Sequence, residues 1–329
     1  MAKTMLEIGI GVLQGLLLIL IAPGLAGLLR QLKTRLQFRQ GAGILQPYRD
    51  LFKLIRRPAV RSETTSWIFA FTPYILFVAY GLLAFQVPVF HCATLLSGDL
   101  IVILYILGLA RFVLSLAGLD SGAPFSGLGS SREMFFHFLT EIGLMLIIAT
   151  LIIRWNTINL AAIIAQHSGL LASGISGGTG TFPFNPEMLL LFLSLAFLIL
   201  FESERIPIDN PATHLELTMA HKAVLLEYAG HDLALIEWAE MIKLTFLLTL
   251  LINLFAPIPA LATLTNGIDL WASGWAWLGY ALKVLGIIVL MAIWEVSQPK
   301  LRLRAVVRPS LWPVVFSVIA IIYTVIVKK

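Results

Sequence analysis

Long stretches without a single charged residue constrain this chain more than any other feature of its sequence. Such stretches run from Ile8 to Leu29, from Thr64 to Phe90 and from Leu244 to Thr265. A helix of about 20 apolar residues crosses the hydrocarbon core of a bilayer, where only helices and closed barrels satisfy their backbone hydrogen bonds. The mean hydropathy is +0.91. We therefore predict an all-α polytopic membrane protein with a single integral-membrane domain over residues 1–329.

The apolar segments suffice for about eight transmembrane helices of ordinary length. They are centred on residues 8–29, 66–90, 97–119, 133–153, 186–203, 238–258, 272–295 and 310–327. The first apolar run is too long for the core of a cleaved signal peptide, and no small-residue cleavage site follows it. We expect this first segment to remain as a helix.

The cations are concentrated in alternate connections between these segments. The first connection carries Arg30, Lys33, Arg35, Arg39, Arg49, Lys53, Arg56, Arg57 and Arg61. Arg132, Arg205 and Lys300 lie in later odd connections, whereas the even connections hold almost nothing but Arg154. Because cytoplasmic loops are enriched in Lys and Arg, we predict that the odd connections face the cytoplasm. Both termini then face outward, and the chain lies in the plasma (inner) membrane.

The first connection also contains a short amphipathic segment, at about residues 43–57. Its apolar residues recur at helical spacing with cations between them, which predicts a helix on the cytoplasmic membrane surface. This helix could be a plain surface anchor or part of a floor on which a partner docks, and the two interpretations are compatible.

Cysteine and histidine usage argues against a metal centre in this chain. Cys92 is the only cysteine, so neither an internal disulfide nor a cysteine-ligated cluster can form. His214 and His221 are seven residues apart, whereas helical metal ligands usually lie three or four apart. We expect no metal here, and a proton-exchanging, partner-facing or simply solvated role for the loop histidines.

Acidic residues are unusually concentrated in one part of the chain. Eight of the 18 acids lie between Glu202 and Glu240, in the acidic loop at about 202–240 and in the helix ends beside it.

Glu141 and Lys283 lie well inside predicted spans. A charged side chain there costs about 2.5–3.5 kcal/mol and should face the interior of the helix bundle or a water-filled cavity. A file of such groups can conduct protons, whereas the alternative is a set of structural ion pairs. Nearby cations are few, which favours the proton path for the set as a whole.

The segment ESERIPID, residues 202–209, resembles a cytoplasmic loop in the membrane subunit of complex I (NADH-quinone oxidoreductase) that docks the peripheral arm and helps to form the quinone chamber. The matching residues are Glu202, Arg205, Pro207 and Asp209, and the later pair Glu227-Tyr228 also matches. Upstream, Arg132 and Glu141 match an Arg and a Glu nine residues apart in the family, and GAGILQPYRDLFKL resembles its first cytoplasmic segment. The resemblance covers nearly the whole chain.

Departures from that pattern point to one branch of the family. The acidic run after the proline is thinned, with Ala212 and His214 where Glu is usual, and Glu204 replaces an Asn. Together with DNPATHLELTMAH and ALIEWAEMIKL, these features are similar to the membrane anchor subunits of formate hydrogenlyase and other group 4 membrane-bound [NiFe] hydrogenases. That resemblance implies no quinone.

The resemblance implies a non-catalytic membrane subunit that docks a peripheral arm and couples its electron transfer to proton or sodium translocation. The implied partners are a [NiFe] large subunit, an iron–sulfur small subunit, antiporter-like membrane subunits and membrane lipid, with no nucleic acid. The [NiFe] and iron–sulfur centres would belong to those partners. The alternatives are a complex I subunit with a quinone chamber and a stand-alone ion transporter.

The same resemblance, with the positions of the charges, gives the candidate site residues. The candidates for the proton path are Glu141, Glu202, Glu204, Asp209, Glu216, Glu227, Lys283 and Glu295. The candidate charge partners and docking-loop residues are Arg132, Arg205 and His214.

Overall fold

The computed structural model of the chain describes residues 2–89, 98–167, 186–203, 205, 221–256, 270–298 and 308–327, without the side chains of 2–7, 270–274, 276 and 327. The helices are α1 (Ala2–Leu36), α2 (Gln46–Ile55), α3 (Trp67–Ala84), α4 (Leu100–Asp120), α5 (Pro124–Trp155), α6 (Pro186–Glu202), α7 (His221–Leu225), α8 (Gly230–Phe255), α9 (Leu270–Ser297) and α10 (Trp312–Val327). A further helical segment covers 160–167. Within these ranges the only β pairing is an isolated bridge between Asp99 and Asn159.

The all-α membrane fold predicted from the sequence is confirmed. In the part of the chain that the structure describes, six helical stretches are long and apolar enough to cross a bilayer. They are 8–36, 67–84, 100–120, 124–155, 277–297 and 308–326. The two other predicted spans, 186–203 and 238–258, correspond to the helices α6 and α8, which do not belong to that set of six. A total of about eight spans and the outward position of both termini therefore stay predictions.

Helix ends follow local sequence signals. Ser66 caps α3 by accepting a hydrogen bond from the backbone N–H of Ile68, the usual role of Ser before a helix. Its own N–H and hydroxyl donate to one carboxylate oxygen of Asp120, both at 2.8 Å, so the start of α3 is tied to the end of α4. Helix α5 ends where Asn156, the residue after its last, adopts a left-handed conformation with a φ of 51°.

Helix α8 lies at the centre of the bundle and positions the charged residues. It packs against α1, α2, α3, α6 and α9, and its buried residues extend from Gly230 to Leu254. Helix α5 packs against α4, α6, α7 and α10. The short helix α7 lies against α4 and α5 and carries His221 into the bundle.

Two predicted helices differ in extent from those observed. The amphipathic helix expected at about 43–57 covers Gln46–Ile55, because Pro47 fits only the first turn and the residue before Pro58 disfavours helical geometry. The span predicted over 133–153 belongs to the longer helix Pro124–Trp155. Further along the chain, α7 ends at Leu225. Gly230 then adopts a φ of +60° at the turn into α8.

Candidate functional site

Buried acids and histidines form a continuous row where α5, α6, α7 and α8 meet. Glu133 of α5 is 2% exposed. Its Oε1 lies 2.8 Å from Nδ1 of His221 and 3.3 Å from Nε2 of His137. Glu133 and His137 share a face of α5 because they are four residues apart, and α7 brings His221 to the same carboxylate. A single carboxylate oxygen is therefore shared by two imidazoles.

His221 lies between two carboxylates. Its Nδ1 faces Glu133, and its Nε2 is paired with Oε1 of Glu240 on α8. A neutral imidazole has one N–H, so it can donate to only one of these acids. Hydrogen bonds to both acids would require a proton on each ring nitrogen, or a protonated carboxyl group that donates to one of them.

The row continues to Glu202, the last residue of α6, which is fully buried. Arg111 of α4 donates from Nε to Oε1 of Glu202 at 3.0 Å, and its Nη2 lies 2.9 Å from Oε2. Nδ1 of His137 is 3.9 Å from the same Oε2, and the Thr140 hydroxyl is 3.5 Å away. Glu202 thus has a fixed cation on one side and a titratable histidine on the other.

Two cavities adjoin this row. The smaller has a volume of about 10 Å³, close to the space that one water molecule needs. Glu133 and Arg111 line this cavity. Oε2 of Glu133 and Nη1 of Arg111 are buried without a hydrogen-bond partner among the described residues.

The larger cavity has a volume of about 250 Å³. Its polar and charged lining residues are Arg30, Lys33, Ser203, Arg205, His221, Lys222, Glu237, Glu240, Lys243 and Glu295. The two cavities are neighbours, because both are lined by His221, Glu240 and Lys243.

Glu295 of α9 forms a second charged group on the wall of the larger cavity. It is 2% exposed, and its two carboxylate oxygens lie 2.9 Å from Nζ of Lys33 and 3.0 Å from Nη1 of Arg205. Removing two charges from water is costly unless they are paired, and here two cations flank one acid. The segment after α6 is thereby tied to α1 and α9.

A third charged group holds the start of α8 against the end of the first connection. Asp232 is 1% exposed and accepts hydrogen bonds from Nε and Nη2 of Arg61 at 2.8 and 3.1 Å. This hydrogen bond raises the pKa of Arg61 above its ordinary value. Beside it, the ring of Tyr228 stacks on Phe69 with centroids 4.0 Å apart, and its hydroxyl donates to the Phe69 carbonyl. We call Arg61, Asp232, Tyr228 and Phe69 the α8 clamp.

The structure brings some of the residues predicted from the sequence to this region. Glu202, Arg205 and Glu295 lie in or beside the larger cavity and its row of acids. Glu204, Asp209, His214 and Glu216 lie outside the described residues, so their roles stay predictions.

Other predicted residues lie apart from the row. Lys283 donates to the backbone carbonyl of Ala256 at 2.7 Å. Glu227 is half-buried in the turn between α7 and α8. Glu141 is half-buried on α5 and faces Gly108 of α4. A Cβ added to Gly108 would lie 3.3 Å from Oε1 of Glu141. Within the described ranges no ion pair or hydrogen bond to the Glu141 carboxylate is found. Arg132 is half-buried on α5, next to Glu133 in the sequence.

Sequence reasoning did not single out Glu133, His137, Glu240 or the Arg61–Asp232 pair. One signal could have found two of them: in REMFFHFLTE, Glu133, His137 and Glu141 recur every four residues, which puts acids and a histidine on one side of a membrane helix. The pairing of Glu133 with His221 had no local signal, because the two residues are 88 positions apart.

Comparison with known proteins gives one consistent result. The profile of the NADH dehydrogenase family matches residues 8–327. The chain is 32% identical over 298 residues to formate hydrogenlyase subunit 4 of Escherichia coli K12, covering 88% of this chain and 90% of that subunit. It is also 32% identical over 246 residues to hydrogenase-4 component C of the same organism, covering 74% of each.

One solved structure supports the fold. A chain of the membrane-bound sulfane sulfur reductase, an archaeal respiratory membrane complex, superposes with a TM-score of 0.78. The match covers 95% of this chain and 99% of that one, at 18% identity. Similarity at this level of identity shows a shared arrangement of helices.

Proposed function

Because the chain belongs to the NADH dehydrogenase family, we propose that it is a non-catalytic membrane subunit of an energy-converting redox complex. Its cytoplasmic face docks a peripheral arm of [NiFe] hydrogenase and iron–sulfur subunits, and it couples electron transfer in that arm to translocation of protons or sodium ions. The branch is chosen because two hydrogenase-type subunits match at 32% identity, one of them over most of both chains.

The observation that carries this proposal is the buried row Glu240–His221–Glu133–His137–Glu202. Successive members lie within hydrogen-bond or near hydrogen-bond distance. Fixed cations would suffice if the acids served only to hold helices together, as Arg111 does for Glu202. Glu133 instead faces two histidines, whose ordinary pKa lies near physiological pH. This arrangement suits groups that gain and lose protons during turnover.

The coupling follows from electrostatics. The metal centres of a docked arm would supply the redox chemistry, and their reduction would add negative charge, which favours protonation of nearby groups. Glu240 and His221 border the larger cavity, so they take up a proton first and pass it to Glu133 and His137. Reoxidation of those centres would remove this bias, so that these groups would give the proton up again. The residues of this chain hold and move the proton.

Purification of the native assembly in a mild detergent tests this function. We expect nickel and iron–sulfur subunits to co-purify with the chain. Bound quinone together with flavin-bearing subunits, and no nickel, would instead assign it to a quinone-reducing complex of the complex I type. A chain that purifies alone and transports ions in vesicles would be a stand-alone transporter.

A further inference from the structure

Helix α2 has an outward face whose chemistry none of the contacts described so far explains. Pro47 and Leu51 are buried against the bundle. Leu45, Phe52 and Ile55 are 61%, 58% and 47% exposed, although they are apolar. Exposed apolar side chains grouped on α2 and on the residue before it indicate a surface that contacts lipid or a partner.

The order of residues around α2 is that of a helix lying in a membrane interface. With about 100° between successive residues, the protein-facing side at Pro47 and Leu51 is followed by the apolar strip. Next around the helix come three exposed cations, Arg49, Lys53 and Arg56. An interfacial helix points its apolar strip toward the acyl chains and its cations toward the headgroups.

The charges on this face are not compensated within the described part of the chain. The one acid of α2, Asp50, accepts a hydrogen bond from Gln46 at 2.8 Å and faces Arg30 of α1 at 4.0 Å. Arg49, Lys53 and Arg56 form no ion pair with any described residue, and the guanidinium of Arg56 lies over the Phe52 ring, 4.0 Å from its centroid.

The depth of α2 along α1 fits the same interface. The Tyr48 hydroxyl donates to the carbonyl of Leu20 at 2.6 Å, and a Cβ on Gly27 would collide with the carbonyl oxygen of Ile44. These contacts place α2 beside the last three turns of the charge-free run of α1, which ends before Arg30. With a rise of about 1.5 Å per residue, Gly27 lies within about one turn of that cation, at the boundary between hydrocarbon and headgroups.

We propose that the exposed face of α2 binds anionic phospholipid, with the headgroup phosphate held by Arg49, Lys53 and Arg56 and the acyl chains against Phe52 and Ile55. A protein partner with an acidic face is the other conceivable occupant. The apolar strip beside the cations and the depth of the helix favour lipid. This inference does not depend on the proposed function.

Lipid binding to the purified full-length chain tests the proposal. In an uncharged detergent, fluorescent phosphatidylglycerol and phosphatidylcholine with the same acyl chains are titrated separately. We expect phosphatidylglycerol to bind at least about tenfold more tightly, since each Lys or Arg near an anionic surface contributes roughly fivefold. The R49Q/K53Q/R56Q variant should lose most of this preference while phosphatidylcholine binding stays unchanged.

Two single variants give a matched control. Lys53→Gln and Arg308→Gln each remove one exposed cation, and only Lys53→Gln should weaken phosphatidylglycerol binding. The proposal is overturned if the triple variant keeps the preference, or if Arg308→Gln lowers it equally. A triple variant that keeps the preference but releases a subunit from the native assembly would assign this face to a protein partner instead.

Discussion

Tyr228 shows how a single residue secures the start of α8. Its ring lies flat on Phe69, and burial raises the pKa of its hydroxyl above the ordinary value of 10.0. The neutral hydroxyl donates to the Phe69 carbonyl, which a phenolate could not do. The α8 clamp therefore depends on Tyr228 staying protonated.

The pH dependence of stability follows from this raised pKa. The unfolded chain releases the Tyr228 proton near pH 10, whereas the folded chain keeps it to a higher pH. The folded state then binds more protons, so the contribution of Tyr228 is fully present below pH 10 and is lost as pH rises beyond it. Wild type should lose thermal stability between pH 9 and pH 11 more steeply than Tyr228→Phe. Parallel losses in the two proteins, measured as Tm in detergent, would contradict this assignment.

At the scale of elements, the sequence predicts the helices but not which side chains of distant helices contact each other. The charge-free stretches predict spans because the apolar run and the helix period are local properties. Glu202, Arg205 and Glu295 were found from charge position and motif. The contacts of Glu133 with His221, and of Asp232 with Arg61 171 residues away, depend on how distant helices pack. No pattern within a window of the sequence encodes such pairs.

The junction between α7 and α8 gives an element-scale prediction. Gly230 has a φ of +60°, and a Cβ there would collide with the carbonyl oxygen of Pro58. Gly230→Ala should destabilise the chain by about 1–3 kcal/mol, since it adds backbone strain to a steric clash. Gly127→Ala on α5 is the matched control, because a Cβ there has no neighbour within 4 Å. Equal Tm values for the two variants would show that the clamp region tolerates displacement.

At the scale of the whole molecule, two of the three charged groups line one cavity, and the third holds a helix that contributes to it. The row of buried acids and histidines borders the larger cavity through His221 and Glu240, and the Glu295 group lies on another side of it. The α8 clamp holds the helix that carries Glu240. Since α2 also packs on α8, the amphipathic helix α2, the clamp and the row share one central element. A movement of α8 would therefore change the position of Glu240 in the row.

Ion translocation by the Glu133→Gln variant tests the central claim most directly. The native complex is reconstituted in vesicles, and gradient formation is measured beside redox turnover with an artificial electron donor. Loss of one proton-transfer group typically costs about 10²-fold or more. We predict that Glu133→Gln assembles normally and loses gradient formation by at least about tenfold, whereas Glu63→Gln, which changes an exposed acid of the first connection, behaves as wild type. A Glu133→Gln complex that builds the wild-type gradient would contradict the account.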